Sequence, residues 1–290
     1  MASVSARPAA PAVVVLTLLA AALRFGTLDA RSFWMDEVFT VALLAMDLRE
    51  MLRGVPMSES TPPLYYLVGW GWARIFGLGE IGARSLPAAL GVATVPLAYL
   101  AARELVSVRA GVVTAALVAV NPMLIWYSQE ARSYALLVFA STVALLFFAR
   151  ALADPAARTL DAWAIASMAA IASHYFAAFL FLPQAAWLLR VSRARREVAV
   201  AAGSAAAVGA ALVPLALHQR AAGLIDWIDD FELLVRLGRV PVTVLAGVEA
   251  PAATWLAAAA AVPVMVGVAR WRCGPVHSSA VARASRPRSR

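Results

Sequence analysis

Two adjacent carboxylates, Asp36 and Glu37, stand in the stretch Arg31-Ser32-Phe33-Trp34-Met35-Asp36-Glu37-Val38-Phe39-Thr40, just past the first long apolar run. Ionisable side chains at a membrane boundary are costly to place, and so mark function by default. A carboxylate there can take a proton from an incoming hydroxyl or bind a metal. Neighbouring helical residues point about 100° apart, so the two acids are not equivalent towards one atom. A solvated acidic helix start, favoured by the helix dipole, explains the pair equally well.

Three further groups of residues have chemical potential. Trp126-Tyr127-Ser128-Gln129-Glu130-Ala131-Arg132-Ser133-Tyr134 sets an acid, an arginine and several aromatics between two apolar runs. That makes either a sugar- or phosphate-binding rim or a loop ion pair of little worth at a surface. Ser173-His174-Tyr175-Phe176 interrupts a long apolar run, where a lone histidine is either a hydrogen-bonded core residue or a contact for an anion. No second histidine or cysteine has ligand spacing to it, so no metal site is assigned. Arg84, at the outer end of another apolar run, is an interface anchor or a fork for phosphate.

The elements that must hold these residues are membrane helices. The chain is 62% hydrophobic and 14% charged, against about 45–50% and about 25% in soluble domains. The single cysteine, Cys273, excludes an internal disulfide framework. Residues 9–23 read as a retained first span rather than a cleaved signal, because no small-residue cleavage site follows. Residues 85–102, 110–127 and 133–149 are uncharged runs of 17 or 18 residues, and 198–217 and 250–269 are uncharged runs of 20. Each is near the length that crosses a bilayer. The 28-residue run 162–189 is one overlong helix or a hairpin of two. Thr61 is a candidate cap for a helix opening at Pro62-Pro63-Leu64-Tyr65-Tyr66, dense in aromatics as befits the interface.

Arginine placement chooses between these readings. All 25 basic residues are arginine. With 62–77 interfacial and 162–189 a hairpin turning at His174, the inside segments hold 15 Arg and four acids, the outside ones 10 Arg and 13 acids. That asymmetry satisfies the positive-inside rule. The fold expected is all-α and polytopic, with eight spans, interfacial helices in the first outer loop and both termini cytoplasmic. Residues 1–270 form the membrane domain, and 271–290 form a disordered basic tail. The net charge of +8 is then a topology signal, and no nucleic-acid partner is called for.

Taken together, W-x-D-E after the first span, T-P-P-L-Y-Y, an arginine before a span, Y-S-Q-E-A-R-S-Y and S-H-Y-F resemble the GT-C membrane glycosyltransferases. The branch resembled is that of protein O-mannosyltransferases and aminoarabinose transferases, over roughly residues 12–250. The resemblance implies an enzyme of the cell membrane with an extracytoplasmic site, using a polyprenyl-phosphate-linked sugar as donor. Asp36 would be the general base on an acceptor hydroxyl of a protein, glycan or lipid, with inversion at the anomeric carbon, and Glu37 would support it. Arg84, Glu130, Arg132 and His174 would hold the donor phosphate. The substrate groove would run along Pro62, Pro63, Tyr65, Tyr66, Tyr127, Gln129 and Tyr175, with the polyprenyl tail beside the aromatic stretch from Tyr65 to Trp72. A monophosphate donor lessens the need for a divalent metal, and none is assigned. Family members usually continue further, so this chain reads as a short one. The alternative expectation is an inactive relative that binds lipid-linked sugar or serves as a partner subunit. A transporter would show paired broken spans in two halves, and none is seen.

Overall fold

The computed structural model describes residues 9–223, 240, 242–245 and 247. The chain is all-helical, with eleven α-helices and no strand among the described residues. Helix α1 (Ala9–Phe25) is followed by three short helices, α2 (Met35–Ala45), α3 (Leu48–Ser58) and α4 (Leu64–Phe76). Then come α5 (Glu80–Leu105), α6 (Val108–Val120), α7 (Pro122–Ser128), α8 (Tyr134–Ala153) and α9 (Ala157–Ser173). A 3-10 turn (Tyr175–Ala177) leads into α10 (Ala178–Val191), and α11 (Arg195–Ala221) follows.

Helices α5, α8 and α11 have 26, 20 and 27 residues. At 1.5 Å per residue they measure about 30–40 Å, enough to cross a hydrocarbon core of about 30 Å. The pair α6 and α7, bent by 57°, adds a fourth where it is counted as one broken span, while α1 and 175–191 are shorter apolar helices. The 13-residue α4 is only about 20 Å long, too short to span. The run 162–189 is a hairpin broken at His174, whose extended backbone ends α9.

Two details differ from expectation. The run 110–127 is not one straight helix: it breaks at Asn121, whose side chain accepts from the Leu124 amide at 2.9 Å while Pro122 opens α7. A capping side chain followed by proline at the first helical position starts a new helix, even inside an apolar run. Thr61 does not cap α4. Its hydroxyl pairs with the Tyr66 hydroxyl at 3.1 Å, and Pro63 takes the cap position. The expected span at 250–269, the acidic residues at 226–232 and the tail 271–290 lie outside the described residues.

Three apolar clusters fix the arrangement. Ala20 of α1 meets Val95, Ala115 and Ala119 of α5 and α6. The first-loop helices pack Leu43, Met51, Val55, Tyr65 and Tyr66 onto Leu86 and Leu136. Helices α8 to α11 form the third cluster around Trp163, largely through alanines. Because consecutive spans alternate in direction, the end of α1, the starts of α5 and α8, the His174 turn and the end of α11 share one end of the bundle. Cross-links at that end fix this: Gln129 reaches α1, and Gln219 of α11 links Tyr175 to Thr61.

Candidate active site

Glu37 is sealed at this shared end. Its side chain is 1% exposed and gripped by a two-pronged Arg84 fork, Nε to Oε1 at 2.8 Å and Nη2 to Oε2 at 2.6 Å. The Ala131 amide donates to Glu37 Oε1 at 2.9 Å, so the α7–α8 loop is stitched to the start of α2. Arg84 then uses its remaining N–H groups on backbone carbonyls: Nη1 on Leu28 and Arg31, both at 2.7 Å, and Nη2 on Ser32 at 3.2 Å. A guanidinium has five N–H donors, and all five are engaged within the protein. Arg84 therefore shapes the chain between α1 and α2 and leaves no donor for a phosphate, contrary to its reading from sequence. Paired charges this deeply buried need such complete partnering, since the desolvation cost is otherwise unmet.

Arg132 builds a second tie. Its Nη1 donates to Glu59 Oε2 at 2.8 Å, Thr40 Oγ1 at 3.2 Å and the Asp36 carbonyl at 3.3 Å. Burial pushes the Glu59 carboxyl up, and the Arg132 charge pulls it back. Sequence reasoning missed Thr40, in the middle of α2, and Glu59, which closes α3. The Glu59-Ser60-Thr61-Pro62-Pro63 run leading into α4 was the available signal.

Among Asp36, Glu37, Glu59 and Glu130, Asp36 is the exception. Glu59 is 2% exposed and Glu130 5%, whereas the Asp36 side chain is 44% exposed, with Oδ2 3.8 Å from Arg132 Nη2. One turn of α2 thus presents a reachable carboxylate at position 36 and hides the next one. The 100° step between neighbouring helical residues produces that division.

Glu130 sits in the loop between α7 and α8. Burial pushes its carboxyl up to about 7, and the Trp126 side chain supplies an opposing hydrogen bond. His174 is pulled down to about 4 by burial and, second, by the Arg132 charge. Its Nδ1 accepts from the Phe176 amide at 3.2 Å, so the ring is a neutral imidazole with Nε2 as donor. The cationic histidine expected to meet a phosphate is disfavoured at neutral pH, because burial and the Arg132 charge both oppose the imidazolium. An aromatic row links the two loops: Tyr127 to Tyr134 at 4.6 Å, Tyr134 to His174 at 5.7 Å and His174 to Phe176 at 4.7 Å.

The residues expected along a substrate groove divide. Tyr65 and Tyr66 are 1% exposed and belong to the first-loop core, and Pro62 is buried beside them. Gln129 caps α1 instead, its Nε2 donating to the carbonyls of Leu23 and Arg24 and to Thr27 Oγ1. The Tyr175 hydroxyl donates to Gln219 Oε1 at 2.7 Å. Tyr127 and Pro63 remain partly accessible. Trp70 and Trp72 also pack against the first-loop core, so the start of α4 is a scaffold rather than an open groove.

A profile of the dolichyl-phosphate-mannose-protein mannosyltransferase family matches residues 60–218, more than half of the chain. Among solved structures, the fold is similar to the Saccharomyces cerevisiae protein O-mannosyltransferase Pmt1–Pmt2 complex bound to the sugar donor, with a TM-score of 0.52 and 19% identity over 79% of this chain and 34% of that one. It is also similar to the oligosaccharyltransferase AglB from Archaeoglobus fulgidus in complex with an inhibitory peptide and a dolichol-phosphate, with a TM-score of 0.50 and 16% identity over 95% and 38%. The chain thus spans a little over a third of the length of these structural relatives. No curated protein matches it. The family profile covers α4 to α11, the elements that carry Arg84, Glu130, Arg132 and His174, and the chain belongs to the dolichyl-phosphate-mannose-protein mannosyltransferase family.

Proposed function

We propose that the chain is a membrane glycosyltransferase that moves a sugar, mannose or a similar hexose or pentose, from a polyprenyl-phosphate donor to an acceptor hydroxyl. Asp36 is the general base. The observation that carries this reading is that Asp36 alone among the four clustered acids is open to a ligand, while Arg132 stands beside it. Asp36 removes the acceptor proton, and the acceptor oxygen bonds to the anomeric carbon from the face opposite the phosphate. The carbon–oxygen bond to phosphate breaks, and its electron pair leaves with the polyprenyl phosphate. Arg132, and the neutral His174 through Nε2, are the donors placed to meet the leaving charge, where fixed dipoles in a water-poor site act most strongly. Glu37 and Arg84 set the position of the base without touching substrate.

The arginine asymmetry supports an extracytoplasmic site and cytoplasmic termini. Cysteines introduced for Trp34, Met35 and Phe176, all exposed at this end, should label from outside intact cells once Cys273 is replaced. Labelling from the inner face alone would reverse the topology.

The decisive experiment follows transfer from a radiolabelled polyprenyl-phosphate sugar in membranes carrying wild-type or Asp36→Asn protein. Removing a general base costs roughly 10²- to 10⁴-fold. Equal transfer by the two proteins sinks the assignment of Asp36.

A further inference from the structure

Glu130 has no evident place in the chemistry just described, and its surroundings are unusual for an acid. It is 5% exposed, and its Oε2 is buried without a hydrogen-bond partner among the described residues. A buried ionised carboxylate with an unmatched oxygen is among the costliest groups a protein can hold, and protonation relieves it. The neighbours do not rescue the anion. Asp36 and Glu37 of α2 add repulsion, and the Trp126 hydrogen bond and the Arg132 charge oppose burial without offsetting it. Arg132 is already committed to Glu59 at 2.8 Å, and Arg84 to Glu37 at 2.6 Å. Arg31, from the chain before α2, lies over the Trp126 ring, 5.1 Å from its centroid. Tyr65 of α4, Tyr127 of α7 and Tyr134 of α8 complete the shell with phenol rings.

Arg84 is taken up by Glu37, so Asp36, Glu59 and Glu130 share the one guanidinium of Arg132. With Glu130 ionised, one more negative charge stands where an anionic lipid phosphate has to approach. A proton on Glu130 removes that charge without touching Asp36, whose charge the base role needs. We propose that Glu130 is carried as a neutral carboxylic acid and that its proton makes the site receptive to the anionic polyprenyl-phosphate donor. This rests on the donor reading above and adds a condition to it: donor affinity is linked to one proton, held by a residue that does not react. Loss of that proton also places a new anion within reach of Arg132, the group that steadies Asp36, so binding and base position fail together.

The burial of Glu130 puts the change near neutral pH, since its carboxyl is pushed up to about 7. Binding of a polyprenyl-phosphate mannose to the full chain in nanodiscs, read by tryptophan fluorescence across about pH 6 to 9, tests the link. This phosphodiester keeps one charge over the range, so its own titration does not intrude. The wild type should hold constant affinity below about pH 7 and lose about tenfold per pH unit above it, the slope for a single linked proton. Glu130→Gln, which keeps a neutral side chain with an N–H donor, should bind with a pH-flat affinity. A second measurement needs no ligand: the infrared carbonyl stretch of a neutral carboxylic acid, present in wild type below pH 7, fading above it and missing from Glu130→Gln.

A wild type with pH-flat donor affinity overturns the proposal, as does a Glu130→Gln protein that keeps the wild-type slope. Absence of the infrared band at pH 6 also overturns it, whatever the donor does. Wild-type protein that shows the band but binds no donor at any pH overturns the donor reading, and the proton link falls with it.

Discussion

The end of the bundle that carries Asp36 and the α8–α11 bundle beneath it are held together by opposite means. At the Asp36 end, Glu37, Arg84, Glu59 and Arg132 are buried charges whose partners come from α2, α3, α5 and the α7–α8 loop. In the bundle, eleven of the 17 buried residues are alanine. Small residues let helices approach closely, and the stabilisation comes from many weak contacts. The first arrangement is sharply positioned and intolerant, because each charge removed strands another. The second is graded, because losing or adding a methyl group changes a few contacts among many. A site that must hold a carboxylate to a fraction of an ångström calls for the first, and a bundle that need only keep its spans together can use the second.

The sharpest way to break this contrast is Arg84→Ala. It leaves Glu37 buried and unpaired, which costs about 3–5 kcal/mol. We expect loss of folded protein and of transfer, measured by thermal unfolding in detergent and by the radiolabel assay. A double variant, Glu37→Gln with Arg84→Met, should be less damaged than Arg84→Ala alone. Additive losses would mean that the pair is not coupled as described. Next in size is Ala170→Leu in the bundle. Overpacking costs about 1–3 kcal/mol, and the same unfolding assay should show a modest drop with transfer retained. A collapse as large as that of Arg84→Ala would erase the distinction between the two regions.

The pH response sharpens the comparison, because His174 and Glu130, both at the Asp36 end, act with opposite sign. His174 is held down at about 4, below its unfolded value. The unfolded chain therefore binds the extra proton between about pH 4 and 6.5, and stability is lost as pH falls through that window. Glu130 is held up at about 7, so its folded form keeps the proton longer, and stability is lost as pH rises from about 4.5 through 7. Melting temperatures of His174→Gln should lose the acid-side slope, and those of Glu130→Gln should lose the neutral-side slope. Identical slopes in the two variants would show that neither group dominates. The smallest effect is expected from Arg103→Gln, which removes the exposed 3.0 Å ion pair with Glu104 at the far end of α5. Exposed ion pairs are worth about 0–1 kcal/mol, so the unfolding midpoint should barely move.

The apolar helices were legible because uncharged runs of that length leave little choice, and the hairpin at His174 followed once arginine placement was counted. The break at Asn121-Pro122 was written plainly as a cap followed by proline, but the apolar run around it hid the signal. The division between Asp36 and Glu37 could be foreseen from helical geometry, though not which of the two would face outward. That choice comes from Arg84, 47 residues further on. Arg84 itself was misread because three of its five acceptors are backbone carbonyls, and a carbonyl has the same signature in every residue. Glu59 escaped notice for the same kind of reason: its partner Arg132 lies 73 residues away, and no local pattern joins them. Gln129 and Tyr66 looked like ligands for a substrate, because a polar or aromatic side chain that caps a distant helix or fills a core has no distinct spelling.

The grip of Arg84 on Leu28, Arg31 and Ser32 has a consequence for how this chain can drift. Those three bonds read peptide oxygens, so the side chains at these positions can be exchanged while the fork stays satisfied. Removing or adding one residue between Leu28 and Ser32 would instead shift every later carbonyl out of register and carry Asp36 with it. In this connection between α1 and α2, variation is open in spelling and closed in length.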